Sequence, residues 1–460
     1  MTELLFNAFV MNTCSHIQHG MWRHPAAQQH RFDDVNLWID VAKTLEKAKF
    51  DVIFFADVVG LYGPLNGNYD LNVREGLQIP SNDPSVLVAA LATHTEHLGL
   101  AFTSSILQSH PFEFARRVST LDHIARGRIA WNIVTSTQEN AARNFGLDRL
   151  TEHDARYEWA EEYMEVVYKL WEGSWDDGAS LRDKKTGLFG DPSLIHKIHH
   201  RGPRYQVEGP HLPSPSLQRT PFLFQAGSSG AGRGFAARHA EGQFISPPTP
   251  EAASDLIADT RALAVAEGRN AGDIRFFQGM SFILGSTEAE AQAKLRDYEE
   301  YLSAEGFLAH ANLGVDQDTG EPYAADTPLK DIRTNGGQSH INWLRQATPG
   351  REPTVGDLGR LLIRRHSRFV GTPEQAVPFL RRWQEAGIDG INLVNFLIPD
   401  SYVDIAEHLL PELRKHGLAK TDYREGSLRE KITGSAHLPG RHAGAKWRGA
   451  FSRRQAEAVA

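Results

Sequence analysis

The chain is short of the features that place a protein outside a reducing compartment or within a bilayer. Cys14 is its single cysteine among 460 residues, so no intrachain disulfide framework exists and the cytoplasm is the expected location. No apolar run approaches the ~20 residues that span a membrane. The opening Leu4 to Met11 is apolar, but it lacks a basic n-region and runs into the polar Asn12-Thr13-Cys14-Ser15-His16, so it does not read as a signal peptide. Positive charge is outnumbered too. With 49 Lys and Arg against 57 Asp and Glu, the net charge of −8 argues against a nucleic-acid partner, because phosphate binding needs a clustered basic face. The basic residues that do cluster, from Arg424 to Arg454, read as a solvated tail, with packing across a partner subunit as the competing reading.

Several enzyme fingerprints are also missing. There is no G-x-S-x-G elbow, so nucleophilic hydrolysis lacks its usual support. Gly230, Gly232 and Gly234 lie at a strand-to-helix turn, but Phe235 stands where G-x-G-x-x-G needs its third glycine, and no G-K-[ST] follows for a P-loop. His16, His19 and His24 sit close together without metal-ligand spacing or a nearby carboxylate pair, so no metal is expected. His196, His199 and His200 read as surface residues, and Cys14 as structural or incidental.

What is present is alternation. With 41% hydrophobic and 23% charged residues the chain is an ordinary globular one. Short apolar runs at Leu4–Met11, Asp51–Ala56, Leu98–Ser104, Arg128–Val134, Pro221–Ala226, Gln243–Ile245, Ile274–Leu284 and Asp389–Val394 predict strands. Between them lie helical patterns at Val35–Ala48, after Asp83-Pro84, at Phe112–Ile124, from Asp154 to Trp171, and at Gly230–His239, Pro250–Glu267, Thr287–Glu305 and Tyr402–Lys415. Thr372-Pro373-Glu374 starts a further helix with a good cap. Eight βα units without a dinucleotide fingerprint predict an α/β fold, a (β/α)8 TIM barrel over residues 1–420, with long insertions at about 173–218 and 306–369. A hairpin is expected around Tyr205-Gln206-Val207, and residues 421–460 form a C-terminal extension packing on the barrel or on a partner subunit.

A barrel puts function on the loops leaving the strand C-termini. The polar residues that follow the expected strands fall there: His16, Asp57, Thr103, Asn132 and the Thr135-Ser136-Thr137 run. Gly227-Ser228-Ser229-Gly230 before a helix suits an anion, because backbone N–H groups and the helix dipole point at it; a plain serine N-cap is the alternative. His153-Asp154-x-Arg156-Tyr157 opens the fourth helix, with Asp154 read as a cap, Arg156 as a partner for a carboxylate, and Tyr157 as a packed ring whose hydroxyl reaches the mouth.

The segments His19-Gly20-Met21-Trp22-Arg23-His24-Pro25, Phe54-Phe55-Ala56-Asp57, Gly127-Arg128-Ile129-Ala130-Trp131-Asn132-Ile133-Val134-Thr135-Ser136, Glu152-His153-Asp154-Ala155-Arg156-Tyr157 and Gln225-Ala226-Gly227-Ser228 resemble the bacterial-luciferase superfamily. Within it, the resemblance is to the nitrilotriacetate, dibenzothiophene-sulfone, dimethyl-sulfide and long-chain-alkane monooxygenases, and it runs from residue 7 to about residue 432. It implies an FMN-dependent monooxygenase that takes FMNH2 from a separate NAD(P)H:flavin reductase, uses O2 as co-substrate, acts on a small organic or xenobiotic compound, and forms a homodimer or homotetramer. Asp57, Thr103, Asn132, Thr135, Ser136, His153 and Tyr157 would surround the flavin, and Gly227, Ser228 and Ser229 with Tyr157 would hold its phosphate. His16, Tyr62, Gln78 and His310 look matched to the active site of the alkane enzymes, whereas Thr13 and Thr137 stand where those enzymes are expected to carry cysteine and histidine. A flavin-degrading riboflavin lyase is similar to the same group, and Trp22, Tyr62 and Phe102 are read as rings able to stack its planar substrate. A deazaflavin dehydrogenase and a non-catalytic flavin-binding protein are the readings from other classes.

Overall fold

The computed structural model describes residues 3–62, 69–311, 313, 316, 319, 321–333, 341, 344–345, 348–364 and 367–452. Part of the expected 306–369 insertion and the last residues of the tail, Arg453 and Arg454 among them, lie outside this set.

Eight parallel strands close into a barrel: β1 Leu5–Met11, β2 Val52–Ala56, β3 Gly99–Ser105, β4 Ile129–Val134, β5 Phe222–Gln225, β6 Gly242–Ile245, β7 Arg275–Leu284 and β8 Gly390–Val394. Pairing runs in sequence order from β1 to β5 and on through β6 and β7 to β8, and β8 returns to β1 with Leu5 opposite Gly390. The expected alternation is therefore a closed barrel, and all eight expected strands are present within a residue or two of their expected ends.

Strand parity sorts the side chains into two cores. Phe6, Ala8 and Val10 of β1, Ile53 and Phe55 of β2, Leu100 and Phe102 of β3, and Trp131 of β4 face the helices. Phe9, Phe54, Phe224 and Phe277 face inward, and their rings meet edge to face at 5.0–5.4 Å. Ala101 and Ala130 complete this inner layer, small residues offsetting the large ones and flooring the upper half of the barrel.

The expected helix over 287–305 is two helices, Glu288–Tyr301 and Ala304–His310. Leu302 is extended, and the Ser303 side chain accepts from Gly306 N and caps the second helix, which turns it toward the barrel mouth. The insertion also supplies a strand that periodicity did not suggest: Arg368–Gly371 pairs with Ser281–Leu284, the half of β7 that continues past its contact with β8.

Arg424, Arg441 and Lys446 of the tail are exposed, as a solvated tail requires, but other described parts of it pack on the barrel. Leu428 and Ile432 plug the inner core from the end opposite the mouth. Arg429 is fully buried and forks onto Glu241 while also donating to the carbonyls of Gln218, Thr220 and Pro221. Arg448 pairs with the buried Glu172. A basic run read only as charge conceals this, because the carboxylates that meet Arg429 and Arg448 come from far away in sequence. The same blind spot explains His196 and His200, which are buried against Asp176 and Glu162 and are not surface residues; His199 is exposed. The expected hairpin is present as His200–Arg201 paired with Gln206–Val207. Among the described residues no helix is long and apolar enough to cross a membrane.

Candidate active site

The C-terminal ends of the strands surround a cavity of about 420 Å³. Of the residues expected to carry function, His16, Asp57, Tyr62, Gln78, Thr103, Asn132, Thr135, Ser136, Thr137, Tyr157, Gly227 and His310 line it. Ser228, Ser229 and His153 do not; they sit at its rim, where His153 Nε2 lies 3.2 Å from Ser229 Oγ.

One wall is a hydroxyl and amide ladder. Thr103 Oγ1 donates to Phe55 O, and Asn132 Nδ2 donates to Thr103 Oγ1 at 2.9 Å. That leaves the buried Asn132 Oδ1 without a protein partner at the cavity wall. Ser136 has a positive φ of 60° and donates to Ser105 Oγ, so the chain turns sharply as it leaves β4.

The ladder ends in a cradle. Ser229 accepts from Gly232 N at 3.1 Å and caps the helix Gly230–His239, while Gln225 Oε1 takes the N–H of Gly227 and Gln243 Nε2 donates to its carbonyl. A Cβ at Gly227 would stand 2.5 Å from Gln225 Nε2, 2.7 Å from Tyr157 Oη and 2.9 Å from Gly232 Cα, so only glycine lets the tyrosine hydroxyl and the helix start approach this closely. Tyr157 thus reaches the mouth as expected. Its neighbours differ from expectation: the fourth helix is entered at Glu152 with no side-chain cap, Asp154 takes His153 Nδ1, and Arg156 donates to Thr151 O and not to a carboxylate.

The opposite wall is built by β1, β2 and the helix ending at His310. The His16 ring packs on Phe9 at 4.8 Å, and His310 stacks on Tyr62 at 4.3 Å with planes 13° apart. Burial pushes His310 down to about 4 and Tyr62 up to about 12, so near neutrality the imidazole is uncharged and the phenol keeps its proton. Gln78 is buried with a φ of 56° and an unpartnered Oε1. Thr13 donates to Pro80 O and does not line this cavity, whereas Thr137 does. The three neighbouring histidines diverge: His16 goes to Phe9, His19 to His310 and His24 to Asp297.

Among the described residues of the lining Asp57 is the one carboxyl, and burial followed by the nearby Asp83 carboxylate raises it to about 7. In the unfolded chain an aspartate ionises near ~4. Between those values the folded state holds more protons than the unfolded one, so stability falls as pH rises from about 4 to 7, and the penalty is complete above 7. Asp57→Asn is therefore expected to raise the melting temperature at pH 8 and to change it little near pH 4. Equal shifts at both pH values would contradict this.

Sequence reasoning missed several glutamines. Gln108 Oε1 accepts from Ser104 Oγ and Ser105 N beside Asp57, Gln138 bonds Tyr62 and the Thr137 N–H, and Gln225 holds Gly227. Gln225 was findable as the last residue of a strand; the other two lie in loops whose course only the fold reveals. Phe102 faces the helices and Trp22 donates to Glu75 O, and neither lines the cavity, so of the three rings read as a stacking platform only Tyr62 remains.

Comparison with known proteins accords with this geometry. The family model for luciferase-like monooxygenases matches residues 11–390. Long-chain alkane monooxygenase of Geobacillus thermodenitrificans is 43% identical over 97% of this chain and 98% of its own length. The solved structure of a long-chain alkane monooxygenase superimposes with a TM-score of 0.88 at 43% identity, covering 97% of this chain and all of that one. Dimethyl-sulfide monooxygenase of Hyphomicrobium sulfonivorans is 41% identical over 98% of this chain and 94% of its own. A riboflavin lyase solved with modified FMN and riboflavin gives a TM-score of 0.87 at 36% identity, covering 97% of this chain and all of that one.

Proposed function

Because this chain belongs to the luciferase-like monooxygenase family and is a flavin-dependent monooxygenase, we propose that it takes reduced FMN from a separate NAD(P)H:flavin reductase and, with O2, oxygenates a small uncharged organic compound. The observation that carries the substrate class is the lining itself. Among the described residues around the cavity there is no lysine or arginine, and the one carboxyl is raised to about 7. An anionic substrate would meet no lysine or arginine there, and a charge moved unpaired from water into such a site is costly.

The residues present fit a flavin. The unpartnered Asn132 Oδ1 and the Thr103 and Ser136 hydroxyls suit the polar edge of a ring system and a ribityl chain. The Gly227–Ser229 cradle at a helix N-terminus, with Tyr157 Oη beside it, suits a terminal phosphate. When bound, reduced flavin supplies the electrons that activate O2 for insertion of one oxygen atom into an organic molecule. The chain holds the substrate over the phenylalanine floor, excludes water with the apolar half of the lining, and offers hydrogen bonds from His16, Tyr62, Gln78 and His310.

The test is an anaerobic titration with FMNH2 followed by O2, in the presence of an alkane, a dialkyl sulfide, an aryl sulfone, an aminopolycarboxylate or riboflavin. An oxygenated product from a neutral compound is expected. Product from the aminopolycarboxylate alone would overturn the uncharged class, lumichrome from riboflavin would decide for a lyase, and FMN retained with no turnover would indicate a binding protein. Tight binding of deazaflavin F420 with no affinity for FMN would remove the cofactor assignment. Ser228→Ala, at the exposed rim of the cradle, is expected to weaken FMN binding about tenfold, the worth of one charge-assisted hydrogen bond; unchanged affinity would exclude Ser228 from the phosphate site.

A further inference from the structure

We propose that His19 is a positioning residue that holds His310 in a single tautomer, with its proton on Nε2 and available to an oxygen acceptor in the cavity. The inference rests on the functional reading above in one respect only, that His310 faces the reacting atoms.

Three polar groups form a hydrogen-bonded chain that ends at the cavity wall. Ser15 Oγ lies 2.9 Å from His19 Nδ1, and His19 Nε2 lies 2.9 Å from His310 Nδ1. Ser15 is 2% exposed and His19 1%. The His19 ring is clamped. Phe307 packs edge-on at 5.3 Å, Gly306 leaves no room for a Cβ, which would sit 2.9 Å from His19 Cβ, and the His19 carbonyl accepts from Ser303 N. The helix that ends at His310 is therefore tied to the β1 loop through His19.

The direction of the chain follows from donor and acceptor counting. A neutral imidazole has one donor and one acceptor nitrogen, and each is set by what the other meets. A buried hydroxyl that fails to donate is costlier than one whose lone pair goes unused. Ser15 O–H accordingly donates to His19 Nδ1. His19 then carries its proton on Nε2 and donates to His310 Nδ1, leaving His310 Nε2, the ring's remaining polar atom, as an N–H. Because a serine hydroxyl keeps its proton at neutral pH, the chain orients His310 and does not conduct protons through it. The stack of His310 on Tyr62 fixes the ring plane, so the Nε2–H direction is fixed as well.

The test begins with flavin-free protein labelled with 15N-histidine, using long-range proton–nitrogen correlation, with His310 assigned from the signals lost in His310→Gln. The wild type is expected to show His310 protonated at Nε2, and His19→Phe is expected to bring in the Nδ1-protonated form while the other histidine signals stay in place. An Nδ1-protonated wild type, or a His310 signal unmoved in His19→Phe, would overturn the proposal. Turnover supplies the second readout. His19→Phe is expected to lower kcat about tenfold, the rate equivalent of one lost hydrogen bond, with KM and FMN affinity changed by less than about twofold. His19→Gln, whose amide N–H can replace the imidazole donor, is expected to recover most of the loss, and Ser15→Ala to give an intermediate tautomer mixture. Equal loss in the glutamine and phenylalanine variants would reduce His19 to a structural role. Absence of turnover on every compound tested, with the Nε2 tautomer observed, would count against the functional reading and leave the tautomer assignment standing.

Discussion

Arg429→Met is expected to destabilise the protein by about 3–5 kcal/mol, the usual consequence of removing one member of a buried ion pair. The guanidinium is fully buried, forks onto Glu241 at 2.6 and 2.9 Å, and reaches three backbone carbonyls at the end of the barrel opposite the mouth. Methionine fills much of the volume but leaves the Glu241 carboxylate, itself buried, facing carbonyl oxygens. Glu241 also accepts from Leu223 N, so the disturbance passes directly into β5. The measurement is the denaturant midpoint followed by fluorescence. The double variant Arg429→Met with Glu241→Gln is expected to recover a large part of the loss, because it removes the stranded charge along with its partner. A single variant within about 1 kcal/mol of wild type would mean that the plug helix Leu428–Thr433 is dispensable to the barrel.

Gly227→Val is expected to weaken FMN binding by at least about a hundredfold, equivalent to ~2.7 kcal/mol. Three atoms would lie under 3 Å from the first added carbon, and they belong to groups that cannot all yield: the Gln225 amide, the Tyr157 hydroxyl and the backbone of Gly232. Relieving the contact moves the helix start away from Tyr157 and opens the cradle. Gly230 is the control. A Cβ there meets nothing within 4 Å, so Gly230→Ala is expected to leave affinity near wild type and to favour the helix slightly. Equilibrium dialysis with FMN measures both; equal affinity in the valine variant and the wild type would place the phosphate elsewhere.

The barrel was legible because parallel strands buried on both faces are continuous apolar runs, and caps such as Asp83-Pro84 and Thr372-Pro373 mark where crossover helices begin. Much of the candidate site was legible for a related reason. Polar residues placed directly after apolar strands have no packing role, and Asp57, Asn132, Thr135 and Gly227 all meet at the mouth. Local sequence failed wherever a side chain's meaning depends on a distant partner. Arg429 and Arg448 looked like tail charges until Glu241 and Glu172 came beside them. Phe102 looked like a stacking ring, yet strand parity turns it toward the helices and presents Thr103 to the cavity. The helix expected over 287–305 looked continuous, since a Leu-Ser step carries no strong stop signal; the break comes from the Ser303 N–H bond to His19 O, a contact across 284 residues of chain.

The sequence alone determined the eight-strand alternation, the scarcity of cysteine, the acidic net charge, and the set of polar strand ends, because these depend on composition, on periodicity and on residues adjacent in the chain. Only the tertiary structure decided that the barrel is floored by phenylalanines and plugged by its own tail, that no lysine or arginine lines the cavity among the described residues, and that Ser15, His19 and His310 form one hydrogen-bonded chain. Burial, proton direction and pKa are properties of surroundings, and those surroundings are assembled from residues hundreds of positions apart.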